Sequence, residues 1–440
     1  MLFTAFTNFA STLSNLAARR NYSGIANNIL ILNCGSSSLK FQVIDPSRET
    51  TRISGIVDRI NSPEGPALKY VDNNRKEKNT LPANLGIDGV VEKIAGDIRN
   101  QISLRTPYST FIRLIKLGLT SRFKIDAIGH RVVHGGDAFV DAALIDDTVE
   151  AAIERFSAFA PLHNPASLAG IRTAREIFPS KPQVAVFDTS FHANMPEYAA
   201  RYAIPDSLYN DLKLRRYGFH GNSHKYVSEK AAELLDRPLQ SIKMVTAHLG
   251  NGCSVAAISE GICVDTSMGI TPLEGLVMGT RSGDVDPAIF GVLKREMAWG
   301  VDETLRMLNN DSGFKGIAGT SDSRDLELNY LAGDEKAGLV IDMFCYRLAK
   351  YIASYAVPLG GIDVLVFTGG IGEKSFIKRA KTLKFLKGLG FTVDQERNEV
   401  NGRNSGGVIS DDLKHPIAIV VPTNEELVIA RETARKLSCK

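Results

Sequence analysis

The stretch Ile29–Asp45, ILILNCGSSSLKFQVID, predicts a β-hairpin whose turn can hold an anion. Four apolar residues lead into a turn of small residues, and an alternating strand follows. Gly35 permits close backbone approach, and backbone N–H groups with serine hydroxyls can face a phosphate while Lys40 adds positive charge. A similar pattern returns 215 positions later at Met244–Ile258, MVTAHLGNGCSVAAI. The two hairpins indicate two related halves that face one polyphosphate; two unrelated hairpins are the alternative.

Length and composition bound the class of protein. A chain of 440 residues is too long for one ordinary core, so two domains are expected. The hydrophobic content of 44% and charged content of 23% are typical of a globular protein, and a net charge of +3 argues against nucleic acid as partner. Five cysteines without CxxC or zinc-like spacing favour a reducing, cytoplasmic compartment. Without an apolar run of ~18 residues, no membrane span is expected.

The N-terminal segment Met1–Asn28 differs from the rest in composition. It has no acidic residue and carries Arg19 and Arg20. We interpret residues 1–26 as a disordered extension, which an upstream start codon could also produce. An organelle-targeting segment is the alternative, since such segments contain arginine and serine and few acids.

A predicted strand at Ile125–His134, IDAIGHRVVH, carries a candidate site for a small carboxylic acid. Alternation along a strand places Arg131 and Val133 on the same face. A guanidinium beside an apolar wall suits such a ligand, because arginine binds the carboxylate and valine contacts the alkyl group. The alternative for an isolated arginine is a surface ion pair at a sheet edge.

The segment Ala160–Ser167, APLHNPAS, predicts the start of a helix. Asn164 is expected as its N-cap, and Pro165 suits the first helical position. His163 would then stand just before the positive end of the helix, which favours an anion site. A structural loop histidine is the alternative.

Two further segments add polar candidates. Gln183–His192, QVAVFDTSFH, predicts a buried strand that ends in Asp188. Open α/β sheets bind ligands at the carboxyl ends of strands, although an aspartate there can also cap a turn. Arg215–His224, RRYGFHGNSH, gathers arginines and histidines around two glycines, a pattern typical of a loop and unlike a helical zinc motif.

Glycine-rich segments in the second half predict loops for a nucleotide. Val264–Pro287 contains Arg281, and Asn310–Leu326 is a second such loop. Long ordered loops inside a compact domain are usually functional. A buried strand at Ile362–Thr368 then runs into GGIGEKS at Gly369–Ser375, where a helix N-terminus can hold phosphate or ribose. This last signal is weak alone, since it matches neither a Walker A loop nor GxGxxG.

The C-terminal segment Ile417–Lys436 predicts a strand, a cap at Thr423-Asn424 and a helix that begins at Glu425. Acidic residues in a first helical turn normally complement the helix dipole. Glu425 could instead reach a Mg²⁺ ion.

Nine short motifs, in this order, resemble the acetate/propionate kinase family: NCGSSSLKF, GHRVVHGG, PLHNP, VFDTSFH, YGFHGNSH, HLGNGCS, MGTRSGDVDP, FTGGIGE and PTNEEL. They span roughly residues 29–435. The resemblance implies an α/β fold of two duplicated ribonuclease H-like domains of the actin, hexokinase and Hsp70 type, with the nucleotide cleft between them. The first domain, on the substrate and metal side, would comprise residues 27–189 and 422–440. The second, on the nucleotide side, would comprise residues 190–421.

The resemblance also implies a role for each motif. Catalysis would depend on Asp188, Arg281, His220 and Arg131. Acetate would contact Arg131, Val133, Leu162, His163 and Pro272. ATP or ADP would contact Lys40, His248, Leu249, Gly250, Asn251, Gly252, Asp322, Ser323, Arg324, Gly370, Ile371, Gly372, Glu373 and Lys374. Mg²⁺, or Mn²⁺ in its place, would be held by Asn33 and Glu425. The family usually has asparagine where this chain has Lys374.

The implied reaction is reversible in-line transfer of the ATP γ-phosphoryl group to acetate, which gives acetyl phosphate and ADP, in a cytoplasmic homodimer. A carboxylate is already ionised at neutral pH and needs no general base. We therefore expect Asp188 to orient Arg281 or the metal's ligands. Arg131, Arg281 and His220 would offset the repulsion between two anions.

Three alternatives remain open. Propionate could be the acceptor in the same chemistry, since it differs by one methylene. A sugar kinase would need Asp188 as a general base. A non-enzymatic ATP-driven clamp or filament protein of the actin/Hsp70 type would leave the substrate-side arginines without use.

Overall fold

The computed structural model describes residues 27–35, 38–58, 67–72, 77–82, 112, 123–161, 163–411 and 416–438. The predicted extension at residues 1–26 lies outside the described residues, and so does Leu162.

The first half of the chain forms an eight-stranded sheet in the order β5-β4-β3-β2-β1-β6-β8-β7. Its strands are β1 Ile29–Cys34, β2 Leu39–Asp45, β3 Thr50–Asp58, β4 Ala67–Asp72, β5 Glu77–Pro82, β6 Ala127–Val132, β7 Ala143–Leu144 and β8 Gln183–Phe187. The predicted hairpin is confirmed, because β1 and β2 pair antiparallel from Ile29 opposite Ile44 to Cys34 opposite Leu39. Strands β1, β6 and β8 run parallel in the middle of this sheet.

The second half forms a five-stranded sheet in the order β11-β10-β9-β12-β13. Its strands are β9 Met244–Leu249, β10 Cys253–Ser259, β11 Ile262–Thr266, β12 Val364–Thr368 and β13 Ile417–Val420. β9 pairs antiparallel with β10 and parallel with β12, as β1 does with β2 and β6. The order therefore repeats β3-β2-β1-β6-β8 of the first sheet. β1 begins at Ile29 and β9 at Met244, which is the offset that the sequence predicted.

Helices cover and connect the two sheets. They are α1 Asp147–Arg155, α2 Asn164–Ile177, α3 Glu197–Ala200, α4 Asp206–Leu212, α5 Gly221–Leu234, α6 Ile289–Met297, α7 Val301–Asn310, α8 Gly313–Ala318, α9 Ser323–Leu331, α10 Glu335–Ser354, α11 Ala356–Leu359, α12 Gly369–Lys374, α13 Phe376–Phe385, α14 Gln395–Glu399 and α15 Glu425–Ser438. The prediction of a long loop at Asn310–Leu326 was wrong in part, since α8 and the start of α9 lie within it. In the described part of the chain, no helix combines the length and apolar character needed to cross a bilayer.

The C-terminal helix α15 joins the two halves. It follows β13 of the second sheet, yet its apolar side chains pack with Ile29, Ile31 and Val186 of the first sheet. Gly129 on β6 permits this contact, because a Cβ there would lie 2.6 Å from Thr433 Oγ1. The first residue of α15, Glu425, is thereby brought to the carboxyl ends of the first sheet's parallel strands.

Candidate active site

The two sheets direct polar residues to one place from the ends of their strands. In the first sheet Asn33 stands near the end of β1, Arg131 near the end of β6, and Asp188 directly after β8. In the second sheet His248 lies near the end of β9. This is the edge at which open α/β sheets bind their ligands.

Arg131 and Asp188 form a partly buried, bidentate ion pair. Arg131 Nε donates to Asp188 Oδ1 at 3.0 Å, and Arg131 Nη2 donates to Oδ2 at 2.6 Å. Asn222 Nδ2 donates to the same Oδ1 at 3.0 Å. Asp188 is 1% exposed, whereas Arg131 is 21% exposed. Asp188 therefore orients Arg131, which lies on the adjacent strand β6, and in the described part of the chain no hydrogen bond joins it to Arg281. That Asp188 orients the metal's ligands stays a prediction.

Glu425 adds a second carboxylate beside the same guanidinium. Its Oε2 lies 3.9 Å from Arg131 Nε. Burial raises the pKa of Glu425, Arg131 and Lys40 oppose the rise, and the charge of Asp188 adds to it. Burial alone would lower the pKa of Arg131, but Asp188 and Glu425 hold it above its ordinary value. Asn424 caps α15, with its Oδ1 accepting from Leu427 N at 3.1 Å, as predicted.

His220 enters the site at the start of α5 in a strained backbone conformation. Its φ is +56°, in the left-handed region that non-glycine residues rarely adopt. Its ring stacks on that of His248 with centroids 4.2 Å apart. Burial, the neighbouring histidines and both Arg131 and Arg281 lower the pKa of His220 well below its ordinary value. This shift favours the neutral imidazole near pH 7, a form in which His220 would offset the repulsion between two anions by donating a hydrogen bond.

Arg281 belongs to the second half of the chain, and its side chain reaches the space next to His220. A methyl group in place of the Gly252 hydrogen would stand 3.2 Å from Arg281 Nη1 and 3.5 Å from His220 Nε2. Arg281 Nη1 also donates to Pro272 O at 3.3 Å. Burial lowers the pKa of Arg281. The guanidinium groups of Arg281 and Arg131 act on common neighbours, because both depress the pKa of His220.

His163, a predicted acetate contact, lies close enough to Arg131 and Arg281 to be affected by their charges. Burial together with Arg281 and Arg131 lowers the pKa of His163 to about 4. His163 itself stands at the N-cap position of α2, without a capping hydrogen bond from its side chain. The prediction that Asn164 caps this helix was wrong. Asn164 instead bonds the backbone of His134, with Oδ1 accepting from N at 3.0 Å and Nδ2 donating to O at 2.9 Å.

Val133 gives the predicted acetate pocket an apolar wall. It is buried and packs in the same cluster as Phe219 and Leu249 of the second half. Pro272 of the predicted acetate set lies beside Arg281, since its carbonyl oxygen accepts from Arg281 Nη1.

The turn His248–Gly252 packs against the segment Gly369–Ser375, which the sequence predicted as a glycine turn. Gly369 has a φ of +74°, and a Cβ there would lie 2.8 Å from Leu249 O. The residues Gly369–Lys374, predicted as a glycine turn, form the short helix α12. Glu373 Oε1 accepts from Gly369 N and from Thr423 N, each at 3.2 Å. This carboxylate ties α12 to the start of α15, while Gly370 and Lys374 face outward.

The segment Asp322–Arg324 begins helix α9 next to α13. Asp322 caps the helix, accepting from Arg324 N at 2.7 Å, and its carboxylate also pairs with the exposed Arg324 side chain. Ser323 Oγ accepts from Lys378 Nζ at 2.9 Å. Lys378 is buried and forms an ion pair with Glu327. Lys378 therefore holds the two predicted nucleotide segments together.

Comparison with models of protein families identifies the family of this chain. The model of the acetokinase family matches residues 28–431. The chain belongs to the acetokinase family. An acetate kinase of Carboxydothermus hydrogenoformans is 44% identical over 405 residues, which cover 92% of this chain and 98% of the relative. An acetate kinase of Caldicellulosiruptor saccharolyticus is 47% identical over 413 residues, with 93% and 99% covered.

Solved acetokinases share the fold. A propionate kinase from Francisella tularensis is 42% identical, with a TM-score of 0.81 over 93% of this chain and 99% of that one. A Porphyromonas gingivalis acetate kinase is 38% identical, with a TM-score of 0.79 over 94% and 100%. The predicted α/β fold of two duplicated domains is confirmed. These matches also confirm the predicted phosphotransferase, and they do not support the non-enzymatic clamp.

Sequence reasoning missed three residues of this acetokinase site. Asn222 supports Asp188, Lys378 joins the nucleotide segments, and Ser254 lies 2.8 Å from His220 Nδ1. Asn222 lies inside the RRYGFHGNSH motif and could have been singled out there. For Ser254 and Lys378, a serine in an apolar strand and a lysine in a basic helix give no local signal.

Proposed function

We propose that this acetokinase transfers the ATP γ-phosphoryl group to acetate, with acetyl phosphate and ADP as products. One set of contacts supports it most: Asp188, the partner of Arg131, accepts from Gly221 N and Asn222 Nδ2 directly after His220, and His220 Nε2 borders the same space beside Gly252 as Arg281 Nη1. Two guanidinium groups in one partly buried space can hold two anions close enough to react.

Arg131 is proposed to bind the acetate carboxylate, with Val133, Leu162, His163 and Pro272 around the methyl group. Acetate is ionised at neutral pH, so no base has to remove a proton. This agrees with the structure of Asp188, whose two oxygens accept from Arg131 and Asn222. Asp188 fixes the guanidinium, and the guanidinium fixes the acceptor oxygen.

Arg281 and His220 are proposed to stabilise the transferred phosphoryl group. As charge spreads over its equatorial oxygens, fixed donors strengthen their bonds to it. Arg281 supplies positive charge, and neutral His220 supplies a hydrogen bond.

The nucleotide is proposed to lie along Lys40, the turn His248–Gly252, Asp322–Arg324 and α12. The open space next to Gly370, where no atom lies within 4 Å of an added Cβ, leaves room for it.

The residues at the first sheet fit a Mg²⁺ ion bound with the nucleotide. Within the described residues, no group of three or more histidine, cysteine or acidic side chains could hold a metal ion alone. Mg²⁺ usually takes one or two protein oxygens and completes its shell with water and phosphate oxygens. Glu425 and Asn33 are such oxygen donors, and Glu425 and Asp188 share a single neighbouring guanidinium. When bound, Mg²⁺ (or Mn²⁺) would neutralise phosphate charge.

Acetate is proposed as the preferred acceptor over propionate. A trap of acyl phosphate with hydroxylamine tests this with acetate, propionate, glycerol or no acceptor. We expect hydroxamate formation to be fastest with acetate, slower with propionate, and absent without Mg²⁺. One methylene is worth about 1–3 kcal/mol in an apolar pocket. Faster turnover with propionate would reassign the substrate, and ATP hydrolysis that is equally fast without acceptor would contradict the transferase proposal.

A second copy of the chain is proposed to cover helices α6 and α7. Helix α6 has no buried residue, and Val292, Met297, Val301 and Leu305 are exposed there. Exposed apolar side chains that cluster on a surface mark interaction sites. Sedimentation velocity should show a dimer, and a Val292→Glu, Met297→Glu variant should sediment as a monomer. Val357→Glu, at an exposed apolar position on α11, is the matched control and should stay dimeric; an unchanged dimer in the double variant would contradict this surface.

The domain boundaries are proposed as residues 27–189 with 422–440 and residues 190–421, in a cytoplasmic enzyme. The packing of α15 on the first sheet supports the assignment of the C-terminal residues to the first domain.

A further inference from the structure

A chain of buried hydroxyl and imidazole groups leads from the second sheet to His220. Thr246 Oγ1 on β9 lies 2.7 Å from His224 Nδ1, and His224 Nε2 lies 2.8 Å from Ser254 Oγ on β10. Ser254 Oγ lies 2.8 Å from His220 Nδ1. Thr246, His224 and Ser254 are 0% exposed, so water does not compete for these bonds.

When Ser254 donates to one of the two histidines, the hydrogens of this hydrogen-bonded series can run in only two directions. A neutral imidazole has one donor and one acceptor nitrogen, and a hydroxyl donates one hydrogen. If Thr246 donates to His224, then His224 donates to Ser254 and Ser254 donates to His220 Nδ1. The proton of His220 is then on Nε2. In the reverse direction His220 donates through Nδ1, and its Nε2 is a bare acceptor.

The groups around His220 indicate which direction of the hydrogen bonds would allow it to bind a phosphoryl group. Its Nε2 faces the space beside Gly252 where Arg281 Nη1 also points. A phosphoryl group presents only acceptor oxygens there, so a bare Nε2 would repel it and an Nε2–H would bind it. Burial, His248, His224 and the two arginines lower the pKa of the ring, which favours the neutral form, and in that form the single proton has to be on the correct nitrogen.

We propose that Ser254 is a positioning residue that, with His224 and Thr246, holds neutral His220 in the tautomer that donates Nε2–H to the transferred phosphoryl group. This inference rests on the proposed function. Ser254, His224 and Thr246 act through His220 and touch no substrate themselves. The left-handed backbone of His220 fixes the ring position, and Ser254 fixes its proton.

Neutron diffraction from a crystal of the perdeuterated free protein shows the hydrogen positions directly. We expect deuterium on His220 Nε2 and on Ser254 Oγ, directed to His220 Nδ1. Deuterium on His220 Nδ1 would overturn the inference. Because no substrate is present, this result is independent of whether the proposed reaction is correct.

Kinetics of Ser254→Ala provide the second readout. The variant keeps the imidazole but loses the hydroxyl that sets its proton. We expect kcat to fall by about tenfold or more, less than the ~10²–10³ that follows removal of a donor itself, while the KM for ATP and for acetate changes little. Ser254→Thr, which keeps the hydroxyl, should recover most of kcat.

Ser228→Ala is the matched control. Ser228 is also buried, on α5, but its hydroxyl donates to Lys225 O of the same helix. This variant should keep wild-type kcat. An unchanged kcat in Ser254→Ala would contradict the inference, and so would a kcat in Ser254→Thr as low as that in Ser254→Ala.

Discussion

Arg281→Ala should lower kcat/KM for acetate phosphorylation by about 10²–10³, the usual effect of removing one fixed donor to a transition state. The loss should fall mainly on kcat, because the charge that Arg281 offsets develops as the phosphoryl group moves. Arg281 is well placed for this role. Its Nη1 lies next to Gly252 and His220, and its partial burial lowers the pKa of the guanidinium.

Steady-state kinetics with varied acetate and varied ATP measure the Arg281→Ala effect. Arg306→Ala is the control, since Arg306 is 64% exposed and pairs with Asp311 on the surface. It should leave kcat/KM unchanged. A near-wild-type kcat/KM in Arg281→Ala would show that Arg281 does not act on the reacting group.

Arg131→Ala should have two separate effects, on acetate and on stability. It removes the proposed carboxylate partner, so kcat/KM for acetate should fall by about 10²–10³, with a large rise in the KM for acetate. It also leaves Asp188, which is 1% exposed, without its counter-ion. Breaking a buried pair in this way typically costs about 3–5 kcal/mol in the free energy of unfolding.

A paired variant separates these effects. Arg131→Met with Asp188→Asn removes both charges and keeps similar volumes, so most of the stability should return in denaturant unfolding. Activity toward acetate should stay low, because the guanidinium is still absent. If activity returned together with stability, Arg131 would be a structural residue only, and the proposed acetate site would be wrong.

The hairpins and the strand ends were predictable because their signals are local. An apolar run, a small-residue turn and a second run specify β1–β2 and β9–β10 within 20 residues each. The same holds for Asp188, which directly follows the buried strand β8. Sequence could also place Arg131 on a strand, but its partner Asp188 is 57 residues away and was not foreseen.

The errors came from partners that are distant in sequence. Asn164 has the right type and position for an N-cap, but its amide finds the backbone of His134, 30 residues earlier. Ser254 and His224 are also 30 residues apart and meet only when β10 and α5 pack together. The lowered pKa of His220 follows from burial, from His224 of its own motif, and from His248 and two arginines of other segments that this motif does not reveal.

The most direct test of the central claim is a crystal structure with ADP, acetate, Mg²⁺ and an aluminium fluoride mimic of the transferred group. The claim is that positive and donor groups from both halves hold two anions in line. We expect Arg131 to bond the acetate carboxylate, while Arg281 and His220 Nε2 bond the fluorines between acetate and ADP. A mimic that contacts neither Arg281 nor His220, or acetate bound away from Arg131, would contradict the account.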